Sequence, residues 1–134
     1  MASAPTPSAP AASSGMGNNV AGLLCYIPFF IGLVISIVFL VIEPYNKTRF
    51  VRFHAFQSIF LHVATFGIWI ALFIVSSILG VLTHGLGFFL MGVLWPIIGL
   101  GILVLVVVCM IKAYGNQEFK IPIIGDLASK QAGA

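Results

Sequence analysis

The chain has 134 residues, of which 60% are hydrophobic and 7% are charged, and its formal net charge is +3. Soluble domains carry about 25% charged residues, so this composition excludes an ordinary water-soluble protein. No Asp, Glu, Lys or Arg occurs before residue 43 or between residues 53 and 111. The chain is therefore expected in a lipid bilayer, where its basic residues indicate topology and attraction to anionic lipid rather than nucleic-acid binding.

Residues 1–18 are the first predicted segment, a disordered tail rich in Ala, Ser and Pro. This tail lacks the positive residues that begin a secretory signal peptide. We therefore expect the apolar run after it to remain as a membrane span. A transmembrane domain is predicted over residues 19–114 and a juxtamembrane C-terminal tail over residues 115–134.

Three apolar runs predict transmembrane helices over about residues 20–42, 56–82 and 86–111. Each run is long enough to cross a hydrocarbon core of about 30 Å at about 1.5 Å per residue. The predicted fold is an all-α membrane protein. It is a three-transmembrane-helix bundle with an interfacial basic and aromatic segment and a short cytoplasmic tail.

The distribution of Lys and Arg predicts the orientation of these spans. The N-terminal tail and the second loop contain neither residue, whereas the first loop has Lys47, Arg49 and Arg52. The C-terminal tail also has three basic residues, at positions 112, 120 and 130. Because basic loops stay in the cytoplasm, the C-terminus is expected inside and the N-terminus outside the inner (plasma) membrane.

The second span carries one polar-capable stripe. Its members share a sector of a helix that turns by about 100° per residue, and polar groups in a span avoid lipid. Interhelical hydrogen bonding is the favoured interpretation, and a hydrophilic path is the alternative. The stripe consists of His54, Ser58, His62, Thr65, Trp69, Ser76 and Thr83.

Small residues on the other two spans predict close helix packing, because they let backbones approach one another. They are Gly22, Gly32 and Ser36 on the first span and Gly92 and Gly99 on the third. Three helices bury little surface by themselves, so we expect a homo-oligomer or a membrane-protein partner.

The two polar segments next to the spans are candidate docking sites for a partner or for anionic lipid. Arginines there can reach head-group phosphates while neighbouring Phe rings anchor in the acyl chains. A plain topological anchor is the alternative interpretation. The candidate residues are Arg49, Arg52, His54, Gln57, Lys112, Phe119 and Pro122.

Both segments resemble those of a widespread group of small bacterial membrane proteins of unknown function. The resemblance is carried by Arg52-Phe-His-Ala-Phe-Gln-Ser58 and by Lys112-Ala-Tyr-Gly with Phe119-Lys-Ile-Pro-Ile-Ile-Gly125. That group is related to the channel-candidate subunit of the chloroplast inner-envelope import translocon and to magnetosome-membrane proteins that influence crystal maturation. The resemblance implies a helical bundle with paired inner-face motifs and no established catalytic residues.

A structural or interaction role follows as the prediction, with the first loop and the tail as docking surfaces. An oligomeric conduit for a solute or a polypeptide, lined by the polar stripe, is the alternative. No enzyme, cofactor or metal site is predicted, because no nucleophile elbow, phosphate loop, carboxylate pair or zinc spacing occurs.

Overall fold

The computed structural model describes residues 16–133, so most of the predicted tail over residues 1–18 lies outside the described residues. The described residues form helices and no strand, which confirms the all-α prediction. The helices are α1 (Asn18–Leu24), α2 (Phe30–Val41), α3 (Arg49–Leu82), α4 (Leu86–Tyr114) and α5 (Ile124–Gln131), with a 3-10 turn at Tyr45–Lys47.

Two of these helices, α3 and α4, are long and apolar enough to cross a membrane. They contain 34 and 29 residues, which correspond to about 51 Å and about 43 Å. The predicted second and third spans lie within them. By contrast, α2 has 12 residues and extends only about 18 Å, less than the hydrocarbon thickness of about 30 Å. The described residues therefore contain two helices long enough to span a membrane, and the predicted bundle of three is not confirmed.

The first predicted span, residues 20–42, is broken in its middle. α1 ends at Leu24, α2 begins at Phe30, and Pro28 lies between them. Proline ends helices because it lacks an N–H and its ring clashes with the carbonyl four residues earlier. Phe29 then adopts a left-handed φ of 66°. The residues that were expected to cross the membrane instead reverse direction.

α1 and α2 together form a hairpin whose two ends lie at the same end of the molecule. The Tyr45 hydroxyl, after α2, donates to the Met16 carbonyl over 3.4 Å. The Asn19 side-chain amide of α1 donates to the Tyr114 carbonyl at the end of α4 over 3.2 Å. The start of α1 thus lies beside the first loop, whereas the sequence predicted the N-terminal tail on the opposite side of the membrane.

We call this end of the molecule, formed by the start of α1, residues 43–52 and residues 112–131, the charged end. All the Asp, Glu, Lys and Arg residues of the chain lie in its last two segments. The turn between α3 and α4 forms the far end and carries none.

Small residues bring the two arms of the hairpin together. A Cβ added at Gly32 would overlap the backbone of Cys25 and Ile27. One turn later, the Ser36 hydroxyl contacts the carbonyls of Gly32 at 2.7 Å and Cys25 at 3.4 Å. Gly32 and Ser36 were predicted as a helix-packing pair, and the structure uses them to close the hairpin within one chain.

The buried core sits at the charged end. One cluster joins the hairpin to α3 and α4 and includes Ala21, Tyr26, Val51, Ala55 and Cys109, and a smaller cluster joins α5 to Phe53 of α3. Beyond the hairpin, α3 and α4 pack on each other and on no other helix of residues 16–133, and most of their apolar side chains are exposed. Exposed apolar surface on this scale is typical of helices surrounded by lipid.

We expect Gly32→Ala to destabilise the hairpin, because the new methyl group would overlap backbone atoms that cannot swing away. Overpacking of this kind costs about 1–3 kcal/mol, and it should appear as a lower midpoint of thermal unfolding in detergent. Gly67→Ala is the matched control, because nothing lies within 4 Å of the Cβ position at Gly67. Equal midpoints for the two variants would contradict the described packing.

Candidate functional site

The first half of α3 presents four polar side chains to the break between α1 and α2. We call His54, Gln57, Ser58 and His62 the polar row. His54, Gln57 and Ser58 are almost completely buried, and His62 is partly buried. The row thus faces the interior of the protein rather than lipid.

Ser58 and His62 bond the irregular backbone of the hairpin. The Ser58 hydroxyl donates to the Cys25 carbonyl over 2.5 Å, and His62 Nε2 lies 2.9 Å from the Phe29 carbonyl. The end of a helix leaves carbonyls without intrahelical partners, and each unsatisfied backbone group in lipid costs several kcal/mol. These two side chains therefore lie at hydrogen-bond distance from backbone carbonyls that the helix break leaves without N–H partners.

Gln57 joins the hairpin to the C-terminal tail. Its Nε2 donates to the Tyr26 hydroxyl and to the Phe119 carbonyl, both at 2.9 Å. Its Oε1 accepts from the Ile121 N–H at 3.2 Å, and the Tyr26 hydroxyl lies 2.9 Å from His54 Nδ1. All hydrogen-bonding groups of the Gln57 amide are occupied, so this side chain fixes two segments that are distant in sequence.

Two arginines of α3 hold the tail from the outside. Arg49 Nη1 lies 2.6 and 2.7 Å from the two carboxylate oxygens of Glu118, and its Nη2 donates to the Ser129 hydroxyl over 3.2 Å. Arg52 Nη2 donates to the Gln131 carbonyl over 3.2 Å. Hydrogen bonds between charged groups are about twice as strong as neutral ones. These docking candidates thus bind the protein's own tail.

The other docking candidates are divided between the interior and the surface. Phe119 contributes its carbonyl to Gln57 and packs against the core. Lys112, in the last turn of α4, is half-buried, and Pro122 is exposed on the loop before α5.

The remaining members of the polar stripe lie beyond the hairpin. Thr65 and Trp69 line an apolar groove, and the Trp69 ring packs on Trp95 with centroids 5.0 Å apart. Ser76 is buried in the second half of α3. The Thr83 hydroxyl accepts from the Gly87 N–H at 2.7 Å in the turn at the far end.

The predicted packing glycines differ in their surroundings. A Cβ at Gly22 would lie 3.1–3.4 Å from Phe50, His54 and Ala113, so α1 approaches α3 and α4 closely there. A Cβ at Gly99 would contact only the Trp69 ring, at 3.6 Å, and Gly92 has no neighbour within 4 Å among the described residues.

Each side-chain carboxylate of the charged end lies beside a cation. The pairs are Glu43–Lys47 at 2.7 Å, Glu118–Arg49 at 2.6 Å and Asp126–Lys120 at 3.7 Å. Arg52, Lys112 and Lys130 have no ion pair within residues 16–133. The charged end thus offers three cations that no side-chain carboxylate neutralises, and their sum equals the net charge of +3.

Sequence reasoning missed Tyr26 and Pro28, which define the hairpin. Pro28 is the visible signal, since a proline in the middle of an apolar run marks a possible helix end. Tyr26 is a second signal, because a buried Tyr hydroxyl needs a hydrogen-bond partner.

Comparison with known proteins gives a family and several relatives. A model described as the magnetosome magnetite crystal formation protein family matches residues 14–128. A UPF0132 membrane protein of Methanocaldococcus jannaschii is 37% identical over 118 residues, covering 88% of this chain and 91% of the relative. One from Archaeoglobus fulgidus is 39% identical over 121 residues, covering 88% and 98%. No solved structure matches the chain.

These matches confirm part of the resemblance inferred from the two polar segments. The relation to magnetosome proteins and the membrane character are confirmed. A relation to the chloroplast import subunit is not shown, and the relatives named here are archaeal rather than bacterial.

We expect Gln57→Leu to lower the thermal unfolding midpoint in detergent, because it leaves the Ile121 N–H and the Phe119 carbonyl without their partner. Each buried group left unsatisfied costs about 1–3 kcal/mol. The matched control is Gln117→Leu, since Gln117 is exposed. A midpoint for Gln57→Leu as high as that of the control would show that the amide does not join the tail to the hairpin.

Charge reversal tests the ion pair between α3 and the tail. Arg49→Glu and Glu118→Arg should each loosen the tail, seen as faster chymotrypsin cleavage within residues 114–127. The double variant restores opposite charges and should regain protection. If both single variants are cleaved no faster than the unmodified protein, the pair does not hold the tail.

Proposed function

We propose that this chain, which belongs to the magnetosome magnetite crystal formation protein family, is a non-catalytic structural and interaction component of a membrane. Its charged end docks anionic lipid head groups. The observation that carries this proposal is the one-sided charge of the molecule. At the charged end, three cations are left without a side-chain carboxylate partner among residues 16–133, and the far end carries no charged side chain.

The position of the charged end supports contact with head groups. Between residues 53 and 111, α3 and α4 carry no charge and are apolar enough to cross a membrane, so the basic residues lie where the hydrocarbon stops. The cytoplasmic leaflet has a negative surface potential, which attracts each nearby Lys or Arg by about 1 kcal/mol. The positive-inside rule accordingly favours a cytoplasmic charged end with α1 and the tail on that side.

The outer face of α5 adds apolar contact next to these cations. Ile123, directly before α5, is 77% exposed and Leu127 is 47% exposed. Lys130 follows Leu127 on the same helical face at about 100° per residue. Apolar residues beside a basic one are typical of helices that lie in the membrane interface. The tail, held on α3 by Arg49 and Gln57, is thereby presented to the head-group region.

The family description names magnetite crystal formation, and a role at a membrane surface is compatible with it. The side-chain carboxylates at the charged end are paired with cations. The surface is therefore positive overall and suits phosphate groups of lipids better than it suits metal cations. We accordingly propose that this chain acts on the membrane lipid through its head groups and not by binding metal ions.

The test is a Lys112→Gln, Lys130→Gln double variant titrated with phosphatidylglycerol and with phosphatidylcholine. Loss of two attractions of about 1 kcal/mol each should weaken phosphatidylglycerol binding about 30-fold, with phosphatidylcholine binding unchanged. Glu43→Gln, Lys47→Gln is the matched control, because it also removes two charges but keeps the net charge of the chain. Unchanged phosphatidylglycerol binding by the first double variant would overturn the proposal.

A further inference from the structure

A groove opens where the hairpin stops beside the two long helices. Its volume is about 600 Å³, within the range of about 300–1,000 Å³ for small-molecule sites. The floor is the tip of the hairpin, and the walls are the middle parts of α3 and α4. Its lining includes Phe29 and Phe30 of the tip, Thr65, Phe66 and Trp69 of α3, and Gly99 of α4.

The groove exists because the hairpin is shorter than its neighbours. The tip reaches His62, whose Nε2 lies 2.9 Å from the Phe29 carbonyl. That position is about 20 Å along α3 from Arg49, and α3 continues for about another 30 Å. Over that remaining length no further helix of the described chain lies beside α3 and α4. The space beside α3 and α4 beyond the hairpin tip must therefore be filled by lipid, by another protein or by a part of the chain outside residues 16–133.

Hydrocarbon surrounds the mouth of the groove. Phe29 is 83% exposed, Phe30 69% and Phe66 60%, and α3 and α4 carry no charged residue at this depth. Lipid chains therefore have direct lateral access. If the groove were empty, the side chains that line it would lack dispersion contacts on the side facing the gap.

The size of the groove favours a thin occupant. An α-helix is about 10–12 Å across with its side chains, whereas a groove of about 600 Å³ has the size of a small-molecule site. A single flexible hydrocarbon chain can enter the same space along its length. Gly99 widens the groove, because only the Trp69 ring lies within 4 Å of its Cβ position.

We propose that the groove above the hairpin binds one hydrocarbon chain of a membrane lipid, with its end resting on Phe29 and Phe30. This site depends on shape and apolar contact, not on the cations of the charged end. It therefore goes beyond the proposed function and can be tested in purely zwitterionic lipid.

Gly99→Leu and Gly101→Leu are a matched pair of variants. At about 100° per residue the two positions point to nearly opposite sides of α4. A leucine at 99 projects into the groove, whereas nothing lies within 4 Å of the Cβ position at Gly101. Thr65→Phe, which fills the groove from α3, is the second filling variant in case Gly99→Leu fails to fold.

The chain carries its own reporter of occupancy. Its two tryptophans are Trp69 and Trp95, whose rings contact each other at a tilt of 38°, and Trp69 lines the groove. The protein is reconstituted in phosphatidylcholine nanodiscs with a small fraction of chain-brominated phosphatidylcholine. Quenching of tryptophan fluorescence is measured against the brominated fraction, and lipid retained in detergent is counted by native mass spectrometry.

The unmodified protein and Gly101→Leu should retain one lipid and show saturable quenching. Gly99→Leu and Thr65→Phe should bind the lipid about tenfold more weakly, equivalent to about 1.4 kcal/mol. Equal retention and quenching in all four proteins would overturn the proposal. So would a loss of dimer mass in the filling variants without loss of lipid, because a second copy of the chain would then occupy the groove.

Discussion

Backbone carbonyls in hydrocarbon need hydrogen-bond donors, since each unsatisfied group costs several kcal/mol. The break at Pro28 creates this need at Cys25 and Phe29 in the middle of an apolar run. On α3, Ser58 donates to the Cys25 carbonyl, and one turn later His62 donates to the Phe29 carbonyl when its Nε2 carries the proton. A helix break that would be unfavourable in lipid is thereby tolerated, and the chain can reverse at mid-depth.

The other features follow from this reversal. Because the hairpin returns, α1 begins beside the first loop and the end of α4, next to the charged segments. Because the hairpin is short, it leaves the groove beside α3 and α4. Gln57 connects the hairpin to the tail, since it forms hydrogen bonds with the Tyr26 hydroxyl and with the backbone of Phe119 and Ile121.

The sequence was sufficient to predict the membrane class and the two long helices. It could not distinguish the two prolines within apolar runs, because the deciding partners are remote in sequence. α4 continues through Pro96, whereas the helix breaks at Pro28. There, a hydroxyl and an imidazole group 33 residues further along the chain lie at hydrogen-bond distance from the backbone carbonyls at the break. The positive-inside rule places basic loops but gives no position for an N-terminal tail without charge. The tail contacts of Arg49 and Arg52 were likewise invisible, since a free arginine and a paired one look alike in a sequence.

The same-side hairpin is tested most directly by pulsed electron paramagnetic resonance distances in lipid nanodiscs. Spin labels at Asn18, Lys47 and His84, all exposed, are compared in a Cys25→Ala, Cys109→Ala background. We expect a distance below about 25 Å between positions 18 and 47 and one of about 45–50 Å between 18 and 84, close to the length of α3. The reverse pattern, with position 18 near 84 and far from 47, would show that residues 20–42 cross the membrane and would contradict the account.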